Sequence, residues 1–442
     1  MQIRSTAILF SLVLFITSGA PLGAEDLWSS FQNGGELTKN PAILPQKWSP
    51  DENIAWKTSL AGYGQSTPVI DGDVIYVTSV VGPNKETNIV QALGLSDGKE
   101  RWKYEGINAT PEKNTTYVSR AAPTPVVDQN GIVAFFEGGN LVALDADGKV
   151  RWTRNLVQEY GPITARHGLS SSLEQNDEHV FVWVQRMENP YVLAIKKSDG
   201  ENVWKSEGLI SDDPITAWAS PRLIPVDGND QLVLSGSGKI AGYSPTTGER
   251  LWTFDNIAGN TTPTPIPLGK GRFLIGALGG RQSTGGTNPA ESNGVIEIKK
   301  QDGKYAAKWK WQAKKATSSF GSPVAFDGRA YFVNRVGALF CLDLETGDEV
   351  FTGRIPSKSI WATPVATENH IYFFGKDGTT AIVERTDSLK VVAKNVLWEA
   401  GNIDRPQEGA SAMGGPVLYA GSPANSSLIL RRGDVLYAVK TP

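Results

Sequence analysis

The chain is 442 residues long with 47 Gly, 26 Pro, 13 Trp and only 3 Met, and it has no heptad pattern. This composition excludes a helical bundle or coiled coil and points to many short strands joined by turns. The formal net charge of −3 gives no reason to expect nucleic acid or an anionic membrane as the general partner.

In chain order, residues 1–24 come first and are separate in kind. Arg4 precedes the apolar run Ala7 to Ile16, and the small-residue stretch Leu22-Gly23-Ala24 follows. That order of charge, short apolar core and small residues predicts a secretory signal peptide cut after Ala24. The core is short for a membrane span, and no later stretch is apolar enough to make one. With no Cys near the cut, a lipid anchor is not expected. Residues 25–52 are expected to lie across the rim of the domain that follows, anchored by Trp28, Phe31 and Trp48.

From residue 53 the chain is repetitive. An [Asp/Thr]-Gly turn followed by a charged stretch and an aromatic occurs at Asp97-Gly98 with Trp102, Asp147-Gly148 with Trp152 and Asp199-Gly200 with Trp204. It returns at Thr247-Gly248 with Trp252 and at Thr346-Gly347 with Phe351. Asp302-Gly303 with Trp309 is a looser copy, and Asp387-Ser388 with Val392 a decayed one. A second mark, Thr/Ser-Pro-Val and its variants, opens each unit at Pro68, Pro125, Ser171 (in the Pro position), Pro221, Pro265, Pro323, Pro364 and Pro416.

Between the two marks run segments such as Val74–Val77, Tyr331–Val333 and Ile371–Phe374, whose residue types and lengths are those of strands. Four strands per unit, with a period of about 40 to 55 residues, predict propeller blades. The eighth unit stops at Pro442 before any fourth strand, while Asn53 to Leu60 is a fourth strand without a preceding three. The expected fold is therefore all-β: an eight-bladed β-propeller of four-stranded antiparallel blades over residues 53–442. Its ring is closed by the N-terminal strand in the last blade, which removes exposed edges.

The opening Pro-Val, the Tyr-Val strand, and the Thr-Gly turn followed by Trp resemble the pyrroloquinoline quinone (PQQ) repeat over roughly residues 53–440. Proteins with this propeller include quinoprotein dehydrogenases and the non-enzymatic BamB-type factors that scaffold outer-membrane protein assembly. The resemblance implies that the repeated Trp docks neighbouring blades, a role expected of Trp56, Trp102, Trp152, Trp204, Trp252 and Trp309 (or Trp311). A large flat side chain on an outermost strand can bury much apolar area against the next blade.

Candidate chemistry is sparse. For an alcohol-type quinoprotein the resemblance implies a pair of adjacent cysteines and a carboxylate beside Ca²⁺. This chain has the single Cys341, expected to be a buried hydrophobe, and no dense acidic cluster opens a unit. His167, His179 and His370 are too scattered for a metal site. The Gly-rich stretch 279–286 lacks the Lys of a phosphate loop and is expected to be an inter-strand loop. No catalytic or metal-ligating residue, and no cofactor, is expected.

A partner is expected on one face of the ring, carried by the loops that precede each unit and the turns between second and third strands. Arg120, Arg166 and His167 would sit there on blades two and three, facing Trp218, Phe320 and Trp361 on blades four, six and seven. Arg335, Lys376 and Arg432 would add positive charge. A basic arc facing an aromatic arc suits an anionic or amphipathic partner. The sequence thus predicts an exported, monomeric scaffold for protein partners in the periplasm or outside the cell. A PQQ-dependent dehydrogenase using PQQ and Ca²⁺ and a carbohydrate-binding propeller are the alternatives.

Overall fold

A computed structural model describes residues 27–36, 43–115, 117–210, 218–236, 238–255, 257, 262–278, 289–357, 359–399 and 416–441. The expected signal peptide, the Gly-rich stretch 279–286, and four positions that precede unit starts on the expected partner face, Thr216, Asn260, Ser411 and Met413, lie outside these residues.

The described strands form eight antiparallel sheets, one per repeat, arranged as the blades of a propeller. Seven sheets have four strands. Blade 1 has a fifth, Leu27–Trp28, added on the channel side of its innermost strand Val69–Asp71. In blade 8 the outermost strand is Ile54–Ser59, which pairs with Val435–Lys440 from Ile54 opposite Val439 to Ser59 opposite Val435. The two ends of the chain thus complete one sheet, and the ring has no open junction to pair with another molecule.

The repeated Trp and the repeated Gly are two halves of one contact. The Trp102 Nε1 donates to Ala146 O of the next blade at 2.8 Å, and its ring lies over Gly148, which adopts φ of 80°. A Cβ on Gly148 would stand 2.7 Å from that ring, so both the backbone angle and the close approach require glycine. The same pairing recurs for Trp56 with Leu95 O and Gly98, Trp152 with Lys197 O and Gly200, and Trp204 with Pro245 O and Gly248.

At blade 5 the pattern departs from expectation. Trp311, not Trp309, donates to Leu344 O of blade 6 and covers Gly347, while Trp309 sets its edge on Phe254 of blade 4 at 5.8 Å. Trp252 turns to Gln231 Oε1 of its own blade, at 2.6 Å. The cause is the hairpin Gly294–Gln301 with Lys304–Gln312, which past its bulge between Val295 and Ile296 keeps pairing as far as Gln301 opposite Lys304, whereas in blades 3 and 4 the bulge stands next to the turn. This pairing carries Gly303 out to a position where a Cβ would meet nothing within 4 Å. The Trp252 ring still packs with Phe273, Ile275 and Ile296 of blade 5.

The second repeat mark forms a belt around the channel. The backbone N–H of Thr67 donates to Thr124 Oγ1, that of Thr124 to Ser172 Oγ, and that of Ser172 to Ser220 Oγ, at 2.9 to 3.0 Å. The chain of bonds continues from Ser220 to Thr264, Thr264 to Ser322 and Ser322 to Thr363. Each hydroxyl accepts from the preceding blade, which explains why Thr or Ser stands before the Pro. The belt also corrects two unit starts. In blade 3 the Pro position is held by Leu173 rather than Ser171. In blade 8 the pairing of Ala424 with Ser427 and of Gly421 with Leu430 puts Gly421 there, rather than Pro416.

Residues 27–36 lie inside the channel, not across the rim. The segment runs from the face that bears the turns after the innermost strands, pairs with blade 1, and curls at Gln32 and Asn33 through left-handed backbone. The Gln32 Nε2 donates to Ser322 Oγ and Thr363 Oγ1, both at 2.8 Å, so the hydroxyls of the belt hold it. Leu44 and Trp48 then pack into the core beside blade 7, where the Trp48 N–H donates to Asn395 Oδ1.

Candidate functional site

Two places gather polar chemistry: the channel and the mouth, the face bearing the loops between blades. In the channel Arg222 and Glu174 form a fully buried ion pair at 3.0 Å. Arg222 also donates to Gln32 Oε1 (3.0 Å) and Phe31 O (3.2 Å). Burial raises the Glu174 carboxyl and lowers the Arg222 guanidinium, each shift opposed by the partner's charge. The guanidinium therefore ties blades 3 and 4 to the N-terminal segment.

On the mouth the expected residues fall into two groups. In the first, Arg120 is buried and bound to Glu137 at 2.9 Å, to Glu112 at 3.3 Å and to Thr110 O at 2.7 Å. It is a strut for the loop before blade 2 and presents no charge to a partner, which corrects its assignment as a binding residue. Burial pushes the Glu137 carboxyl up to about 7, against the pull of Arg120. Beside it Tyr117, His167 and Trp218 stand in a row, with ring centres 5.2 and 6.0 Å apart. The Trp218 Nε1 donates to Gly168 O at 3.1 Å, and burial lowers the His167 imidazole. Arg166 next to it is exposed.

The second group lies on blades 6 to 8. The Phe320 and Trp361 ring centres are 5.0 Å apart, Trp361 and Tyr419 6.3 Å, and Tyr419 and Tyr63 6.3 Å. The Lys376 ammonium rests 5.2 Å from the centre of the Trp361 ring. The turn residue Arg335 is exposed. Arg432 is engaged by Asp434 at 3.2 Å.

The sequence places Tyr63 at the mouth without a binding role and gives no sign of Tyr419 or Arg431. The two tyrosine hydroxyls meet at 2.5 Å, and burial raises both of their pKa values. Fully buried Arg431 donates to Ser66 O, Thr78 O and Gly433 O, sealing the junction of blades 8 and 1 where blade 8 has no belt hydroxyl. Burial pulls its pKa down to about 9. The signal for Tyr63 is its place five residues before Pro68, as Arg120 stands five before Pro125.

Elsewhere, Cys341 is buried and its thiol is pushed up to about 11 by that burial. A cavity of about 320 Å³ between blades 5 and 6, on the face opposite the mouth, is lined by Lys270, Arg272, Glu297, Lys310 and Glu345. Glu345 bridges Arg272 and Lys310 at 2.8 and 2.7 Å, so much of its charge is neutralised internally. Among the described residues no helix is long and apolar enough to cross a membrane.

An eight-bladed ring with Trp-docked blades, a hydroxyl belt and an aromatic mouth defines a propeller of the PQQ-repeat class. A family model described as outer membrane protein assembly factor BamB matches residues 47–162, 159–266 and 291–437, and the chain belongs to that family. The outer membrane protein assembly factor BamB of Yersinia pestis is 21% identical over 297 residues. That alignment spans 66% of this chain and 64% of the relative, less than two thirds of its length.

Among solved structures, BamB from Moraxella catarrhalis is similar with a TM-score of 0.58 and 14% identity, over 88% of this chain and 99% of that one. A europium-containing methanol dehydrogenase is similar with a TM-score of 0.54 and 14% identity, over 92% and 89%. At these identities the structural likeness concerns the fold alone.

Proposed function

We propose that the chain is a non-catalytic scaffold of the cell envelope that binds protein partners through the mouth and serves outer-membrane protein assembly, as the name of its relatives describes. Export by way of residues 1–24 and action as a monomer belong to the same reading. The observation that carries it is the occupied channel: the chain's own segment Trp28–Gly35 lies among the innermost strands of blades 1 to 7. What remains open to a second molecule is a surface, and its outstanding feature is aromatic, which is the equipment of a protein interface.

Among the described residues, none offers a site suited to PQQ with Ca²⁺. A calcium site needs several free oxygens, and the buried carboxylates nearest the channel and mouth, Glu174 and Glu137, are already held by Arg222 and Arg120. No step of chemistry is assigned to that cofactor.

The test is capture by cross-linking from an envelope extract with the full chain as bait. Specific retention of envelope proteins is expected. Reconstitution with PQQ and Ca²⁺ that gives a bound chromophore and dye reduction would overturn the reading.

A further inference from the structure

The part of the mouth on blades 6 to 8 is knitted together by its backbone. The Ser359 N–H donates to Arg335 O (2.7 Å), the Lys376 N–H to Ser359 O (3.1 Å) and the Leu418 N–H to Lys376 O (3.0 Å). Ser359 holds φ of 51° within this relay. Three blades therefore fix the Arg335 and Lys376 turns side by side, with Lys376 over Trp361, whose ring is tilted against that of Phe320. Val336, next to Arg335 in its turn and 53% exposed, adds apolar surface.

The charges there are unbalanced. Among the described residues neither Arg335 nor Lys376 has a carboxylate partner, whereas Arg120, Arg222, Arg329, Arg385 and Arg432 all do. Asp377, the nearest acid in sequence, is turned to its own chain and accepts from the Thr379 N–H at 3.1 Å. Partial burial lowers the Lys376 ammonium, so part of its desolvation cost is met before an incoming carboxylate arrives. An aromatic shelf with two cations and no partner anion among the described residues complements a ligand that has a ring or large aliphatic group beside a negative charge. A neutral sugar would leave both cations unpaired.

We propose that this part of the mouth docks an acidic polypeptide segment in which an aromatic side chain neighbours a carboxylate. Phe320 and Trp361 take the ring, and Lys376 and Arg335 take the acid. The inference rests on the protein-binding reading above and narrows it to one half of one face and one class of sequence.

The experiment uses the full chain and three labelled synthetic peptides, of alternating Phe and Glu, Phe and Lys, and Ala and Glu, followed by fluorescence anisotropy. The Phe–Glu peptide is expected to bind at least about tenfold more tightly than either other. Trp361→Ala and Lys376→Glu are each expected to weaken it by about tenfold or more, with Trp361→Phe retaining most of the binding, as expected for an anchor residue beside a paired charge.

Equal binding of the Phe–Lys peptide, unchanged binding by both variants, or displacement of the peptide by a neutral oligosaccharide would overturn the proposal. Should Trp361→Ala fail to fold, the surface double variant Arg335→Glu with Lys376→Glu carries the same test. Envelope capture separates the two readings. Capture without any preference for the Phe–Glu peptide sinks this inference alone, and peptide preference in a chain that captures nothing sinks only the scaffold role.

Discussion

The two halves of the mouth are built from the same repeat and face the same way, yet they have spent their charges differently. On blades 2 and 3 Arg120 is buried against Glu137, and Trp218 is tied by its indole N–H to Gly168 O. On blades 6 and 7 Lys376 and Arg335 have no acid among the described residues, and Trp361 shares its ring with an ammonium. Apart from the exposed Arg166, the first half is internal structure that reaches the surface. The other retains unsatisfied chemistry, which is what a partner can use.

The contrast can be broken by single substitutions. The largest effect is expected for Arg120→Ala, which strands the buried Glu137 carboxyl and should cost about 3–5 kcal/mol in chemical denaturation. A loss comparable to a surface change would mean that Arg120 is free after all. Next is Trp218→Ala, which removes a half-buried ring and its hydrogen bond and should cost about 1–3 kcal/mol. Trp361→Ala should cost less stability than that while losing more capture of partners.

A smaller, pH-dependent difference should follow from Glu137. Its carboxyl is raised in the folded protein from the ordinary 4.5 to about 7. Between those values the folded state binds more protons than the unfolded one, so the contribution to stability falls as pH rises through the window. Glu137→Gln should flatten that slope when denaturation midpoints are compared at about pH 5 and about pH 8. The smallest effects are expected for Lys376→Ala and Arg335→Ala, within about 0.5 kcal/mol of the parent stability.

Much of the fold was legible because its causes are local and repeated. Trp102 and Gly148 are neighbours in space, and each is required by the other, so the pair recurs at one spacing and announces the blade. Ring closure was legible from Trp56, a docking residue with no blade of its own in sequence. The register of blades 3 and 8 was misread because Leu173 and Gly421 stand where Pro was sought. Only the hydroxyl belt and the strand pairing reveal the offset.

The mouth was legible as a face, but not in its energetics. Arg120 and Arg335 look alike in sequence. The difference lies in Glu137, which the fold brings to the first, and in the absence of a described carboxylate near the second. Trp309 and Trp311 are likewise two residues apart on one strand, and only the place of the bulge between Val295 and Ile296 decides which one reaches blade 6. The course of Trp28 to Gly35 through the channel had no repeat to betray it. Its key residue, Gln32, is an ordinary amide whose role depends on Ser322, Thr363 and Arg222, all far away in the chain.

The central claim is that the two halves differ in function although both display cations. Arg166 and Lys376 make the cleanest comparison, since neither has a carboxylate partner among the described residues and neither charge supports the core. Capture of envelope partners and of the Phe–Glu peptide should therefore be measured for Arg166→Glu and Lys376→Glu, both in full-length chains with unchanged denaturation midpoints. Loss with Lys376→Glu and retention with Arg166→Glu is the predicted result, and the opposite pattern, or equal loss in both, would contradict it.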